Sequence, residues 1–363
     1  MPGMTTTVAA APAAVTVPSS SRIMAIDAAR GLAVLGMIVA HIGLTQPLAW
    51  NEPGSWLSIA HGRSSILFAT LAGVSIALLS GKQRPPAGTQ LVTARLRILV
   101  RAIVLFALGG LLTALGTDIA VILQTYALLF ALRIPFLTWT PRRLLVLAAG
   151  WALVAPPLTV WLSHILPETF PPTAEICSGA KVTDLAVLGT YPGLVWITFA
   201  LTGLAIGRSD LSSSLLRIRL VAAGIPLMVL GYGSAWMLGR SVSPEASDWA
   251  QLRTAEPHSG TTFEIAGSLG FALTVLGVLL FIATRIRPLL FPMAAVGSIP
   301  LTAYAAHIIA VRFLRDADMT DNTPLAIFVI VTLAAATLWV LAFGRGPLER
   351  LVTWIGARST RVA

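Results

Sequence analysis

The stretch RGLAVLGMIVAH, residues 30–41, decides the fold class of this chain. Its ten central residues are all apolar or glycine, and the apolar pattern extends on both sides to about residues 24 and 45. A transmembrane helix needs roughly 20 mainly apolar residues. The stretch therefore predicts a membrane-spanning helix, and it places a cation, Arg30, and a titratable ring, His41, inside that helix.

The composition of the whole chain indicates a polytopic membrane protein. Of its 363 residues 56% are hydrophobic and 11% are charged, and the mean hydropathy is +0.83. Soluble domains typically have about 25% charged residues, so the composition excludes a soluble fold. A net charge of +10 would suggest a nucleic-acid partner in a soluble protein. Here the arginines lie at the ends of apolar segments, so no nucleic-acid partner is expected.

The same length rule predicts about ten membrane spans, and the expected fold class is an all-α, polytopic transmembrane helix bundle. With the N-terminus in the cytoplasm, sixteen Lys and Arg residues fall on the cytoplasmic side and four on the other. Positive residues concentrate on the cytoplasmic side of membrane proteins, so both termini are predicted to be cytoplasmic. The spans are predicted at about 24–45, 60–80, 97–115, 118–138, 143–164, 188–206, 218–238, 264–284, 289–313 and 325–344.

The sequence divides into one large domain and two tails. Residues 1–21 are rich in Ala, Thr, Pro and Ser and lack the basic segment of a signal peptide, which favours a disordered cytoplasmic tail. Residues 22–354 form the predicted transmembrane domain, and residues 355–363 a second cytoplasmic tail. Arginine outnumbers lysine 23 to 2, a bias typical of GC-rich bacterial genomes. The expected location is therefore the plasma membrane of a bacterium.

Metal, nucleotide and disulfide chemistry are not indicated. Cys177 is the only cysteine, so neither an intramolecular disulfide nor a thiolate metal cluster can form. The chain has no Walker loop, no dinucleotide fingerprint and no zinc-ligand spacing. Its five histidines are scattered, and no metal is predicted.

Three polar residues of the first helix share one face. Arg30 and His41 are eleven positions apart, which at ~100° per residue places them on nearly the same face, about 16 Å apart along the axis. Asp27 precedes Arg30 by three residues and joins this face. Asp27 and Arg30 can form a structural ion pair, and His41 can be a buried ring bonded to a backbone carbonyl. Alternatively, because ionisable groups inside membrane helices often line functional cavities, Arg30 and His41 face one water-accessible lumen.

The extended stretch AIDAARGLAVLGMIVAH resembles the first helix of the membrane acyltransferase superfamily, which includes acyltransferase family 3. Its hallmark is an arginine, ten residues and a histidine. Two further stretches are more similar to the YeiB-type and heparan-α-glucosaminide N-acetyltransferase-like branches, GTYPGLVWITFALTGLAIGRSDL (189–211) and FGRGPLERLVTW (343–354). Later helices of the superfamily are matched, in order, by GRSSILFATLAGVSIAL (62–78), ARLRILVRAIVLF (94–106) and IPLTAYAAHIIAV (299–311).

The resemblance implies transfer of an acyl group, often acetyl, from cytoplasmic acyl-CoA to a hydroxyl or amine. Histidine titrates near neutral pH, so His41 suits a general base or a transiently acylated nucleophile. Arg30, paired with Asp27, would guide the donor or polarise its carbonyl group. Tyr304 and His307, three residues apart in the late helix, complete the set of catalytic candidates.

Donor and acceptor candidates lie at opposite ends of the predicted bundle. Arg97 and Arg101 share a face one turn apart at the start of the third helix, with Arg95 beside them. Arginine forks suit phosphate oxygens, so these three are candidates for binding CoA, or they are ordinary positive-inside anchors. The candidates on the acceptor side are His61, Arg63 and His258.

The identity of the primary histidine stays open at this point. The glucosaminide branch carries its catalytic histidine shortly after the first helix, beside a tryptophan. Trp56 and His61 match that arrangement loosely, so His41 and His61 both qualify.

The favoured function is an integral membrane O- or N-acyltransferase that uses acetyl-CoA or another acyl-CoA. Its acceptor is expected to be a cell-envelope glycan, a lipid or a secreted metabolite. The alternative is a secondary transporter or lipid flippase, although the internal repeats with matching broken helices that many transporters have are not visible. A scaffold whose buried charges are only structural is the third possibility.

Overall fold

The computed structural model describes residues 20–49, 51–166, 182–240, 247–314 and 320–359, and every regular element in these ranges is helical. Short 3₁₀ segments occur at Pro53–Ala60 and Ile134–Phe136, and one π-helical turn at Asp184–Leu188. The α-helices are α1 Ser20–Ile42, α2 Arg63–Leu79, α3 Gly88–Thr113, α4 Leu123–Leu132, α5 Pro141–Ile165, α6 Gly193–Arg208, α7 Ser214–Gly239, α8 Asp248–Gln251, α9 Thr262–Ile282, α10 Arg287–Ser298, α11 Pro300–Leu314, α12 Thr323–Phe343 and α13 Pro347–Ser359.

The predicted all-α transmembrane class is confirmed. Within the described residues, seven helical segments are long and apolar enough to cross a membrane: Met24–Ile42, Pro53–Leu79, α3, α5, α7, α9 and α12. Helices α10 and α11 together would form an eighth. The remaining two of the ten predicted spans coincide with α4 and α6, which have 10 and 16 residues. The count of ten and the side on which the termini lie stay predictions.

Helices α4 and α6 lie in the interior of the bundle and are buried along most of their length. Helix α6 packs on α2 at backbone contact, because a Cβ at Gly203 would overlap the carbonyl oxygen of Thr70 and one at Gly73 that of Ala200. Small residues permit such close crossings in membranes. At 1.5 Å per residue, α6 is about 24 Å long, less than the ~30 Å hydrocarbon core. Neighbouring helices therefore shield its ends.

Helix α1 is packed just as closely against α10. A Cβ at Gly297 would overlap the carbonyl oxygen of Asp27, and one at Gly31 would overlap that of Met293. Glycine at both positions lets the two backbones touch. As a result, the end of α10 lies directly beside Asp27 and Arg30.

A break separates α10 from α11, and the two helices diverge by 75°. Pro300 begins α11, and proline both lacks an N–H and disfavours helical backbone at the preceding residue. Ile299 accordingly has φ −122° and ψ 47°. Irregular backbone within a membrane needs internal polar partners. The residues that supply them form part of the candidate site.

The two predicted tails are largely undescribed: residues 1–19 and 360–363, together with Cys177, lie outside the described ranges. Helix α13 passes through residue 355, where the second tail was predicted to begin, and ends at Ser359.

Candidate active site

Arg30 joins α1 to the break between α10 and α11. Its guanidinium donates hydrogen bonds to the carboxylate of Asp27, to Oγ of Ser75 at 3.2 Å, and to the carbonyl oxygen of Gly297 at 3.5 Å. The side chains of Arg30 and Asp27 are 19% and 15% exposed. The predicted ion pair therefore forms, and Arg30 also satisfies a carbonyl group at the end of α10.

Glu349 on α13 accepts hydrogen bonds from the backbone on the other side of the break, at the start of α11. Its Oε1 accepts hydrogen bonds from the backbone N–H groups of Leu301 at 2.7 Å and Thr302 at 3.1 Å, and its Oε2 accepts one from the Thr302 hydroxyl at 2.6 Å. A carboxylate is favourable at a helix N-terminus, where N–H groups are unsatisfied and the dipole is positive. Glu349 thus caps α11.

A cavity of about 510 Å³ opens beside these groups, and it is called the Arg30 cavity below. Two further cations, Arg101 and Arg345, lie on its wall. Among the described residues, neither guanidinium takes part in a hydrogen bond or salt bridge. The rest of the wall is largely apolar and aromatic: Phe68, Ala72, Leu78, Leu79, Leu105, Leu123, Tyr126, Phe130, Leu301, Tyr304 and Val352.

The three arginines predicted on α3 do not lie together at this cavity. Arg101 lines the Arg30 cavity, whereas Arg95 and Arg97 are absent from its lining and are exposed. Arg97 shares the face of Arg101 but lies one turn nearer the start of α3, beyond the cavity. Of the predicted donor-side residues, only Arg101 is positioned to meet a molecule there.

The histidines of the first and late helices are in direct contact. Nδ1 of His41 lies 3.0 Å from Nε2 of His307, and the two rings are stacked with centroids 5.2 Å apart and planes inclined by 16°. His307 is 1% exposed. The sequence placed these residues on different helices, and the fold brings them together.

A second cavity, of about 440 Å³, is lined by His41 and is called the His41 cavity below. Two other predicted residues, His61 and His258, are part of its wall. Four of the five histidines of the chain are thus grouped at this cavity, counting His307 behind His41. The wall also carries Asp118, Thr190, Tyr191 and Arg312.

His258 is held by a buried carboxylate. Glu264, which is 4% exposed, accepts hydrogen bonds from the backbone N–H groups of His258 at 2.6 Å and Gly260 at 2.7 Å. His258 has φ +66°, a left-handed conformation that is uncommon for a residue other than glycine. Such strain persists only where surrounding contacts enforce it. The loop is therefore built to aim this ring.

The ring of His258 packs against two aromatic side chains that also contact each other. It stacks on Trp196, with centroids 6.4 Å apart, and meets Tyr191 edge-on at 5.1 Å. Burial lowers the pKa of His258 to about 4, and the neighbouring His61 adds to this effect. Burial also raises the pKa of Tyr191 to about 12. At neutral pH both groups are therefore uncharged.

Arg63 does not line either cavity. Its Nε donates to the hydroxyl of Tyr232 at 2.8 Å, and its guanidinium lies 4.5 Å from the centre of that ring. The structure therefore gives Arg63 a role in joining α2 to α7. This differs from the predicted contact with the acceptor.

The predicted single lumen is instead two cavities that share no lining residue. Tyr304 lines the Arg30 cavity and packs edge-on against His307, with centroids 4.9 Å apart. Its hydroxyl accepts a hydrogen bond from the backbone N–H of Ile122 at 3.3 Å. Ile122, at 1% exposure, completes the layer. Arg30 and His41 share a face of α1, but this layer separates them.

The roles of several residues could not be identified from the sequence. Arg345, on the wall of the site, and Arg208, outside both cavities, looked like ordinary cytoplasmic charges. Arg345 lines the Arg30 cavity, and Arg208 is buried, donating to the carbonyl oxygens of Ser80 and Leu137 at 2.7 Å. Glu349 was detectable in principle, because it is an isolated acid in a basic segment.

Comparison with known proteins identifies the family of the chain. A family model described as heparan-alpha-glucosaminide N-acetyltransferase, catalytic, matches residues 22–237, more than half of the chain. No curated protein matches the sequence. The matched region includes α1 with Arg30 and His41, the turn that carries His61, and α3 with Arg101. The chain therefore belongs to the heparan-alpha-glucosaminide N-acetyltransferase-like family of membrane acyltransferases.

Proposed function

We propose that this protein transfers an acetyl group from acetyl-CoA in the Arg30 cavity to an amine or hydroxyl group in the His41 cavity, with His41 as the general base. The observation that carries the proposal is the contact between His41 and His307. This pair lies between the two cavities, since His41 lines one and Tyr304, against His307, lines the other. A group that reaches the pair from either side meets a titratable imidazole.

The Arg30 cavity fits the donor chemically. Arg101 and Arg345 supply cations without partners among the described residues, and guanidinium groups bind phosphate oxygens well. The apolar wall formed by residues such as Leu105 and Phe68 suits the uncharged arm that carries a thioester. Arg30 is already bonded to three acceptors, so its role is to hold the break between α10 and α11 in place beside the donor.

The His41 cavity fits an acceptor with polar groups. His61, His258 and Tyr191 offer neutral hydrogen-bonding groups, and Asp118 and Arg312 offer charges of both signs. These are the residue types that bind a sugar or another polar metabolite. We assign the acceptor to the cell-envelope glycans, lipids or secreted metabolites, since this cavity lies at the end of α1 that the positive-inside pattern places outside the cytoplasm.

In the proposed reaction one proton moves from the acceptor to His41 and then from His41 to the leaving thiolate. His41 removes the proton of the acceptor as its nitrogen or oxygen bonds to the acyl carbon. The carbon–sulphur bond then breaks, and the imidazolium returns the proton to the leaving thiolate. The products are an amide or ester and a free thiol. For the acyl carbon to reach the acceptor beside His41, the layer has to open at Tyr304 and Ile122, while His307 stays in contact with His41.

Transport is the second candidate, because two cavities separated by a packed layer also suit alternating access. A transporter would move its substrate across vesicles without an acyl donor and would release no thiol. An acetyltransferase would release one thiol for each acceptor modified.

The test measures binding and turnover of acetyl-CoA by the purified full chain in nanodiscs. Wild type is expected to show higher thermal stability with acetyl-CoA and to release free thiol. His41→Ala should keep the stabilisation and lose about 10²-fold or more of the release rate. The matched control is His164→Ala, because His164 lies at the exposed end of α5, outside both cavities. A folded wild type that neither binds acetyl-CoA nor releases thiol would overturn the proposal.

A further inference from the structure

We propose that His307 is a positioning residue, which holds His41 in the tautomer with the proton on Nδ1 and leaves Nε2 free toward the His41 cavity. The inference rests on the proposed function, since it assigns the atom of His41 that accepts the proton. Two neutral histidines in contact can exchange the roles of donor and acceptor. The surroundings of His307 decide between them.

One ring nitrogen of His307 faces His41, and the other lies beside the backbone of α11, the helix that carries His307. Nε2 is the atom 3.0 Å from His41. Nδ1 is buried and has no hydrogen bond of good geometry among the described residues. The polar groups beside the ring are the backbone carbonyls of Ala303 and Tyr304, four and three residues earlier in α11.

Carbonyl oxygens accept hydrogen bonds and never donate them. A lone pair on Nδ1 would face the lone pairs of these oxygens, whereas a proton there is attracted by them. Nδ1 of His307 therefore carries the proton, and its Nε2 is an acceptor. The contact with His41 then requires that Nδ1 of His41 donates.

The consequence for His41 is a fixed orientation and a fixed tautomer. With its proton on Nδ1, the ring has an unprotonated Nε2, and His41 itself lines the cavity. When Nε2 takes a proton from the acceptor, the resulting imidazolium keeps its hydrogen bond to His307. A base oriented by a third group is the usual design for this chemistry. The wall of the His41 cavity carries further titratable or charged groups, and Tyr304 packs against His307. The groups on the wall are His61, Asp118, Tyr191, His258 and Arg312.

The first readout is the tautomer of His41 in the resting protein. Full-length protein labelled with ¹⁵N-histidine, reconstituted in nanodiscs, is compared with His41→Gln to assign the His41 signals. Wild type is expected to give a protonated Nδ1 and an unprotonated Nε2. A proton on Nε2 of wild-type His41 would overturn the inference, and this readout needs no folded variant of His307 and no acyl donor.

The second readout separates positioning from structure. His307→Leu should move the His41 proton to Nε2 and lower kcat by about 10²-fold, with KM for acetyl-CoA within about twofold. His307→Gln retains a carbonyl oxygen that can accept from Nδ1, so it should recover most of kcat. His164→Gln is the control. Equal loss of kcat in folded His307→Gln and His307→Leu would contradict the inference. Absence of thiol release from wild type would instead remove the proposed function.

Discussion

The carboxylate of Glu349 and the side chain and backbone of Thr302 form a single cap across the break between α10 and α11. The Thr302 hydroxyl lies 2.6 Å from Oε2, and the Thr302 N–H 3.1 Å from Oε1. These residues are 47 positions apart in sequence. Because Glu349 also lines the Arg30 cavity, the cap links the C-terminal helix α13 to the wall of that cavity.

Removing this cap should destabilise the start of α11. Glu349→Ala leaves the N–H groups of Leu301 and Thr302 without their acceptor, at a cost of about 1–2 kcal/mol. Glu349→Gln keeps one oxygen for them and should lose less. Thermal unfolding in nanodiscs measures both, with Arg350→Ala, exposed on the same helix, as the control. Equal unfolding temperatures for Glu349→Ala and wild type would show that the cap contributes nothing.

A pair of arginines one turn apart on α3 tests the donor site. Arg101 lines the Arg30 cavity and Arg97 is exposed outside it. Loss of a phosphate-binding guanidinium typically weakens binding by about 1.5–3 kcal/mol, so Arg101→Ala should raise KM for acetyl-CoA about tenfold or more. Arg97→Ala should leave KM nearly unchanged. Steady-state thiol release at several donor concentrations gives both values. The same KM for the two variants would place the phosphates elsewhere.

The transmembrane helices were predictable from the sequence because a long apolar segment in a bilayer satisfies its backbone hydrogen bonds by forming a helix. The histidine pair was predictable only in part. Spacing within α1 placed Arg30 and His41 on one face, but no pattern in the sequence states that His307 stands against His41. That contact depends on the 75° bend at Ile299 and on the glycine crossing of α1 and α10.

The charges were harder to interpret for a related reason. An arginine near the end of an apolar segment has the same local sequence whether it meets lipid headgroups, as the exposed Arg97 is free to do, or is buried like Arg208. Only the arrangement of neighbouring helix ends distinguishes them. The separation of the two cavities was likewise not accessible, because it depends on how Tyr304 and Ile122 pack across 182 positions of sequence.

The layer between the cavities should limit wasteful hydrolysis. Tyr304 stands between the Arg30 cavity and His307. Tyr304→Ala removes the ring and should let water reach a bound thioester, so that thiol release without an acceptor rises several-fold. Tyr304→Phe keeps the ring and loses only the 3.3 Å bond to Ile122 N–H, so its release should stay close to that of wild type. Unchanged release in Tyr304→Ala would mean that the ring is not the barrier.

The carboxylate of Glu264 should affect binding of the acceptor in the His41 cavity, because it holds the loop that carries His258. Glu264→Gln has one oxygen where the loop presents two backbone N–H groups, from His258 and Gly260. An unsatisfied buried donor costs about 1–3 kcal/mol. We expect a lower unfolding temperature and a raised KM for the acceptor, with KM for acetyl-CoA unchanged. Glu256→Gln, exposed in the same loop, is the matched control. If both variants behave like wild type, the loop does not bind the acceptor.

The stability of the protein should fall in mild acid partly because of His258. Its pKa is lowered by burial from 6.5 to about 4, so between these values the unfolded chain binds a proton that the folded chain excludes. The contribution of neutral His258 is therefore complete above pH 6.5 and is lost as pH falls toward 4.

His258→Gln cannot take up this proton. Its unfolding temperature should decrease less than that of wild type between pH 7 and pH 4.5, in parallel thermal scans at constant ionic strength. Identical slopes for His258→Gln and wild type would mean that the ring of His258 is reached by protons without unfolding.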